Sequence, residues 1–181
     1  MEGVACIRGG RLLFEGMDLA LGPGEAVLVS GQNGAGKSSL IRLAAGLLRP
    51  AAGQVERTAD AALADEALAL DQRLPLVRAL GFWARLDGGD AGAGMAAMGL
   101  VHLADVPVHM LSTGQRKRAS LARVAASGAK LWLLDEPANG LDSEGAECLA
   151  AAIAAHRAAG GAVLAASHQP LSLPGAREIA L

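Results

Sequence analysis

Aromatic side chains are almost missing from this chain of 181 residues, which has two phenylalanines, two tryptophans and no tyrosine. Proteins that hold single-stranded nucleic acid stack its bases on such rings, so that class of ligand is disfavoured. Cysteine is scarce as well. Cys6 and Cys148 form neither a disulfide framework nor a metal-ligand spacing, and they read as small packed side chains in a reducing compartment. There is no excess charge of either sign, because 16 Lys and Arg face 18 Asp and Glu for a formal net charge of −2. A nucleic-acid binder usually carries a basic surplus, so no nucleic-acid partner is expected. No stretch approaches the ~18 apolar residues of a membrane span. Glu2 and Arg8 interrupt the start, where a signal peptide would need an apolar core. Work at a membrane would therefore go through a partner, without direct insertion.

What is present is apolar and rich in alanine. Hydrophobic residues make up 52% of the chain, enough for one domain with closely packed helices. Residues 11 to 21, RLLFEGMDLAL, alternate roughly and stop at Gly22-Pro23-Gly24, a turn. EAVLVS (25 to 30) reads as a buried strand, and KSSLIRLAAGLL carries helical spacing at Leu40, Leu43, Ala44 and Leu47. The middle, about 67 to 126, is mostly helical with a glycine-rich break at Gly88 to Gly94. KLWLL (130 to 134) is a second buried strand, expected beside the first. A helix capped by Ser143 or Asp142 follows, with Ala146, Leu149, Ala150 and Ile153 as its apolar face. AVLAAS (162 to 167) is a third strand and leads to His168. Strands alternating with helices imply a parallel sheet covered on both faces. No accessory domain is expected after EIAL.

Three segments carry chemistry. Gly31-Gln32-Asn33-Gly34-Ala35-Gly36-Lys37-Ser38 fits G-x-x-x-x-G-K-[ST] between a strand and a helix. Glycines let the backbone turn its N–H groups toward phosphate oxygens, and the helix start adds its positive dipole end. Lys37 would reach the outer phosphates and Ser38 would ligate Mg²⁺. Asp135 and Glu136 close the second strand, where Asp135 suits the metal and Glu136 suits a water-polarising role. Ser112 and Gln115, in LSTGQ, fit a capping box. Arg116, Lys117 and Arg118 then follow in the first turns, where cations oppose the helix dipole by up to about 1 kcal/mol each. A bound anion near Ser112 would offset part of that. A solvated basic face is the plain alternative for Lys117 and Arg118.

GQNGAGKSS, LSTGQ, LWLLDEP and ASH occur in the order found in the ATP-binding subunits of ABC transporters, and the chain resembles that family along essentially its whole length. RLLFEGMDLAL, GFWARLDG, LSTGQRKRASLARV, DEPANGLD and SHQPL are most similar to the CcmA family, the ATPases of the haem-exporter complex in cytochrome c maturation. The resemblance implies an α/β P-loop NTPase fold with a RecA-like parallel core, antiparallel N-terminal strands and an inserted helical subdomain. Residues 1–66 and 127–181 would form the catalytic core and 67–126 the helical subdomain. It implies ATP and Mg²⁺ as cofactors, with ATP bound by residues 31 to 38 and Ser39. Glu136 and His168 would be catalytic, and Ser38 and Asp135 would hold the metal. Ser112, Gly114 and Gln115 would grip the γ-phosphate on a second copy, and Asp142 would sit in the D-loop.

The same resemblance implies a homodimer of ATPase subunits and integral membrane partners of the CcmB and CcmC type. The location would be cytoplasmic, on the inner face of the bacterial inner membrane. A helical-domain surface around Phe82 and Trp83 would face the partner, unless that pair is ordinary packing. His102, His109 and His156 have no place in the motifs and read as structural.

The chain also departs from the family pattern. Thr113 replaces the central signature glycine, leaving Ser112 and Gly114 in place. Arg8 stands where an aromatic usually stacks on adenine, and a guanidinium plane can do the same. Gln72 is the nearby glutamine for the Q-loop, whereas an ungapped comparison sets Glu66 or Ala67 there. Rival readings are another small ABC importer or exporter, a soluble ABC ATPase, and a small P-loop kinase. The soluble ATPases would need coiled coils or paired cassettes, and the kinase leaves LSTGQ without a role.

Overall fold

The computed structural model describes residues 1–169 and 171–181. Pro170, inside the SHQPL stretch, lies outside the described residues.

Two sheets organise the chain. In the first, β1 (Glu2–Arg8), β2 (Arg11–Met17) and β4 (Ala52–Gln54) run antiparallel in the order β2-β1-β4. Gly9 and Gly10 turn β1 into β2 with positive φ, and the register pairs Ile7 with Leu12 and Arg8 with Arg11. The second sheet is parallel. It contains β3 (Ala26–Ser30), β5 (Ala61–Ala64), β6 (Leu131–Asp135), β7 (Ala162–Ala166) and β8 (Arg177–Ala180) in the order β5-β6-β7-β3-β8. All five residues of β7 are buried, as expected of a central strand covered on both faces. The α/β P-loop architecture with antiparallel N-terminal strands is therefore the fold observed.

One expectation of adjacency fails. The second predicted strand, β6, does not lie beside β3, because β7 pairs with both of them. Period-2 and apolar-run reasoning finds strands but cannot order them. That order depends on which crossover the intervening helices allow. Four strands were not read from their own residues: β1, the short β4, β5 and β8. Their segments are brief or flanked by charge, and the last three pair only because longer strands offer them an edge.

The helices are α1 (Lys37–Ala44), α2 (Leu76–Asp87), α3 (Ala91–Ala97), α4 (Thr113–Ala126) and α5 (Ser143–Ala158). The larger core joins Leu76, Leu80, Met98, Leu100, Leu121 and Val124 of the helical layer to Trp132 and Leu134 of β6 and to Leu149 and Ile153 of α5. A smaller core under α1 holds Val27, Val29, Leu40, Ile41, Leu133 and Leu164. The cap of α5 is Asp142, whose Oδ1 accepts from the Gly145 N–H at 2.8 Å. Its buried face is Gly145, Leu149, Ala152 and Ile153. Ala146, expected on that face, is exposed. Among the described residues no helix is long and apolar enough to cross a membrane.

Candidate nucleotide site

Strands β3, β6 and β7 run parallel, so their carboxyl ends share one edge of the sheet, and the lysine loop, Asp135-Glu136 and His168 leave from there. Loop 31–36 follows β3. Gly31 has φ 145° and lies so close to the Leu181 carbonyl that a Cβ would fall 2.5 Å from that oxygen. Gly36 has φ 115°, and a Cβ there would meet the Phe14 ring at 3.1 Å. Strand β2 thus presses on the loop, and the backbone angle and the space both select glycine. Gly36 also caps α1 without any side-chain bond. The first-turn N–H groups at Lys37, Ser38 and Ser39 are therefore left for a ligand, at the positive end of the helix dipole.

Lys37 is only 5% exposed. Its Nζ donates to the carbonyls of Gly31 at 2.8 Å and Gln32 at 3.2 Å, and lies 3.7 Å from Glu136 Oε1. The loop curls around its own lysine and fixes a positive charge at the cavity floor.

Asp135 ends β6 and is buried, and its Oδ1 has no hydrogen-bond partner among the described residues. Burial pushes this carboxyl above its ordinary range, a hydrogen bond with Ser38 pulls it back, and the Glu136 charge pushes it up again. A buried carboxylate oxygen without a partner, beside a serine hydroxyl, is a donor set that suits a hard cation such as Mg²⁺.

Glu136 follows with φ 47°, the one non-glycine residue in the left-handed region among those described. Such a conformation costs about 1–3 kcal/mol and persists only where the surroundings hold it. Here its N–H donates to the Ala166 carbonyl at 2.8 Å, which leans the chain over the end of β7. That lean brings Glu136 to Lys37 although β6 is one strand removed from β3. Glu136 Oε2 accepts from the His168 N–H at 3.2 Å and lies 2.9 Å from His168 Nδ1. Burial pushes the Glu136 carboxyl up, but the His168 ring, the His168 backbone N–H and the charges of His168 and Lys37 together draw it below its ordinary range.

These groups line one cavity of about 480 Å³, with Arg8, Leu13, Asn33, Gly34, Gly36, Lys37, Ser38, Ser39, Glu136 and His168 on its walls, joined by Glu66 and Asn139. Gly31, Gln32, Ala35 and Asp135 are not on its walls. Of the residues singled out from sequence, the cradle, Arg8, Glu136 and His168 are brought together. Gln72 is not among them. It lines an adjoining cavity of about 350 Å³ with Asp65, Thr113, Arg116 and Lys117, and Glu66, Glu136 and Asn139 line both. Ser112, Gly114, Gln115 and Asp142 line neither. The capping box at Ser112 and Gln115 is formed in both directions, at 2.9 and 3.2 Å. Leu13 and Asn139 were missed. Asn139 stands three residues past Glu136 and could have been noticed, but Leu13 gives no signal of its own.

The solvated face read for Lys117 and Arg118 is not what forms. Arg118 is buried, and Lys117 is half-buried facing the carboxylates. Burial draws the Lys117 ammonium below its ordinary range, against the opposing pull of Asp135, Glu66, Glu136 and Asp65. Of the histidines read as structural, His102 and His109 are exposed and His156 is half-buried. His156 stacks on Trp132 with ring centroids 4.0 Å apart, and His109 Nδ1 lies 2.9 Å from the Gln72 carbonyl oxygen. Phe82 is exposed, while Trp83 is half-buried, donates to the Ala69 carbonyl at 2.5 Å and lies under the Arg123 guanidinium.

Comparison with known proteins agrees with this geometry. The model of the ABC transporter family matches residues 14–139. The chain is 62% identical to the cytochrome c biogenesis ATP-binding export protein CcmA of Sphingopyxis alaskensis, covering 100% of this chain and 95% of that protein. It is 60% identical to the CcmA of Novosphingobium aromaticivorans, covering 98% and 92%. Among solved structures, an ATP-binding protein of a putative ABC transporter from Pyrococcus furiosus shares the fold with a TM-score of 0.85 at 20% identity, covering 99% of this chain and 95% of that one. With a whole-length relative at this identity and the lysine loop, Glu136 and His168 gathered at one edge of its sheet, the chain belongs to the ABC transporter ATP-binding family and, within it, to the CcmA proteins.

Proposed function

We propose that this chain is the ATP-hydrolysing subunit of the haem exporter of cytochrome c maturation, delivering the energy of ATP binding and hydrolysis to separate membrane subunits. The observation that carries the reading is the single cavity in which the lysine loop, Glu136 and His168 meet. The loop N–H groups and Lys37 bind the phosphates. Arg8 and Leu13, on the hairpin side of the same cavity, flank the base. Ser38 and Asp135 hold Mg²⁺, which supplies charge neutralisation on the phosphates when bound. Glu136, kept ionised by His168 and Lys37, accepts the proton of the attacking water, and His168 keeps its carboxylate aimed. ATP and water become ADP and phosphate. Glu66, which lines both cavities, and Gln72, in the second, form the path toward the helical layer of residues 67–126.

Two copies bind head to tail, so that Ser112, Gly114 and Gln115 of one copy close the site of the other. The membrane subunits are of the CcmB and CcmC type, and the assembly sits on the inner face of the bacterial inner membrane. Exposed Phe82 with Leu74, beside a cavity of about 630 Å³, offers the partner an apolar foothold on the helical layer.

Glu136→Gln tests the chemistry. The variant is expected to bind ATP normally, to dimerise with it, and to lose roughly 10²–10⁴ of the hydrolysis rate as a missing general base does. Normal turnover by the variant would remove Glu136 from the role. Loss of covalent haem from c-type cytochromes on deletion of the gene tests the placement in haem export.

A further inference from the structure

The basic triplet after LSTGQ is not used by the nucleotide cavity, and Arg118 is its most constrained member. The residue is 6% exposed, its Nη1 lies 3.5 Å from Glu144 Oε1, and Nε and Nη1 have no hydrogen-bond partner among the described residues. Glu144 sits in the first turn of α5, two residues past its cap Asp142. Four residues before Arg118, on the same face of α4, Gly114 lies against the segment that precedes α5. A Cβ there would be 3.3 Å from the Gly140 carbonyl oxygen. Gly140 and Glu144 are also four residues apart. Two contacts one helical turn apart therefore lay the start of α4 along residues 140–144. Gly99, after α3, closes over the ion pair, since a Cβ there would lie 3.4 Å from Glu144 Oε1 and 3.5 Å from Arg118 Nη1.

We propose that Arg118 is a positioning residue which, with Gly114, locks the serine-bearing end of α4 to the 140–144 turn of the same chain. Ser112 and Asp142 are thereby presented to the second copy as one rigid surface. The inference rests on the two-copy reading above. It explains why an arginine is buried here: its partner is the next element, not water. It also gives Gly114 a role within its own chain, because a side chain there would hold α4 off the turn.

The experiment uses the full chain assembled with its membrane subunits. The Glu144 side chain is 67% exposed, so Glu144→Gln removes the pair without disturbing the core. That variant is expected to keep the wild-type Tm and ATP affinity while kcat falls roughly 10-fold, the scale of loss a small misplacement produces. Adding Arg118→Met to it is expected to cost little more, because both changes break one contact. Arg118→Lys is expected to recover part of the loss. Wild-type kcat in Glu144→Gln, or losses that multiply in the double variant, would overturn the proposal while leaving the dimer reading intact. A wild-type chain fully active as a lone subunit would overturn both.

Discussion

Lys37 and Arg118 are buried to nearly the same degree, 5% and 6% exposed, and each stands near the start of a helix. Their surroundings differ. Lys37 is wrapped by two carbonyls from residues five and six positions away and faces Glu136. Arg118 reaches a half-solvated carboxylate on another helix and leaves two nitrogens without partners. A charge satisfied by its own loop is fixed before any ligand arrives. A charge shared across two elements ties one to the other. The first arrangement suits a binding floor, and the second suits a brace that holds two segments in one orientation.

The largest effect should come from removing the satisfied cation. Lys37→Met is expected to abolish ATP binding, measured by titration with a fluorescent nucleotide, and unchanged affinity would contradict the cradle. The matching change on the other side should barely register in stability. Arg118→Met leaves behind a carboxylate that is mostly in water, so denaturant unfolding should shift by no more than about 1 kcal/mol. A much larger loss would show that Arg118 carries the fold and not the brace.

The smallest effect concerns the far end of α5. Burial holds the His156 imidazole below its ordinary pKa, against backbone hydrogen bonds at Ala162 and Lys130 that raise it. The unfolded chain therefore takes up a proton at a higher pH than the folded one does. The stability this contributes is present above the ordinary histidine pKa and is lost as pH falls through it toward the folded value. His156→Phe, which can keep the stack on Trp132, should flatten the stability–pH curve between about pH 5 and 7. An unaltered slope would assign the acid sensitivity to other groups.

Much of the site was legible because its chemistry is local. Gly31 through Ser38 fold on one another, so the cradle could be read from spacing alone, and the Ser112–Gln115 box could be read the same way. Glu136 was legible as a strand-end acid. Its left-handed backbone and its lean across β7 were not, because they depend on the Ala166 carbonyl, supplied from thirty residues later. Gln72 shows the opposite case. As the only glutamine near the expected place it drew the Q-loop reading, and it lines the second cavity, whereas Glu66, just past β5, lines both. Residue type gives no sign of that difference, which depends on where β5 ends beside β6. The solvated face left open for Lys117 and Arg118 fails for a similar reason. Charge predicts solvent exposure unless a partner is near, and Glu144 becomes near only when α4 packs on α5.

The sequence alone determined the glycine–lysine loop after a buried strand, the class of fold and the order of the motif-bearing segments. Those depend on backbone freedom, hydrogen-bond valence and hydrophobic period within a few residues of one another. The tertiary structure decided that β7 separates β3 from β6, that Glu136 crosses it to meet Lys37, and that Arg118 faces inward. Each is a contact between segments far apart in the chain, and its energy exists only once the sheet order and helix packing have brought those segments together.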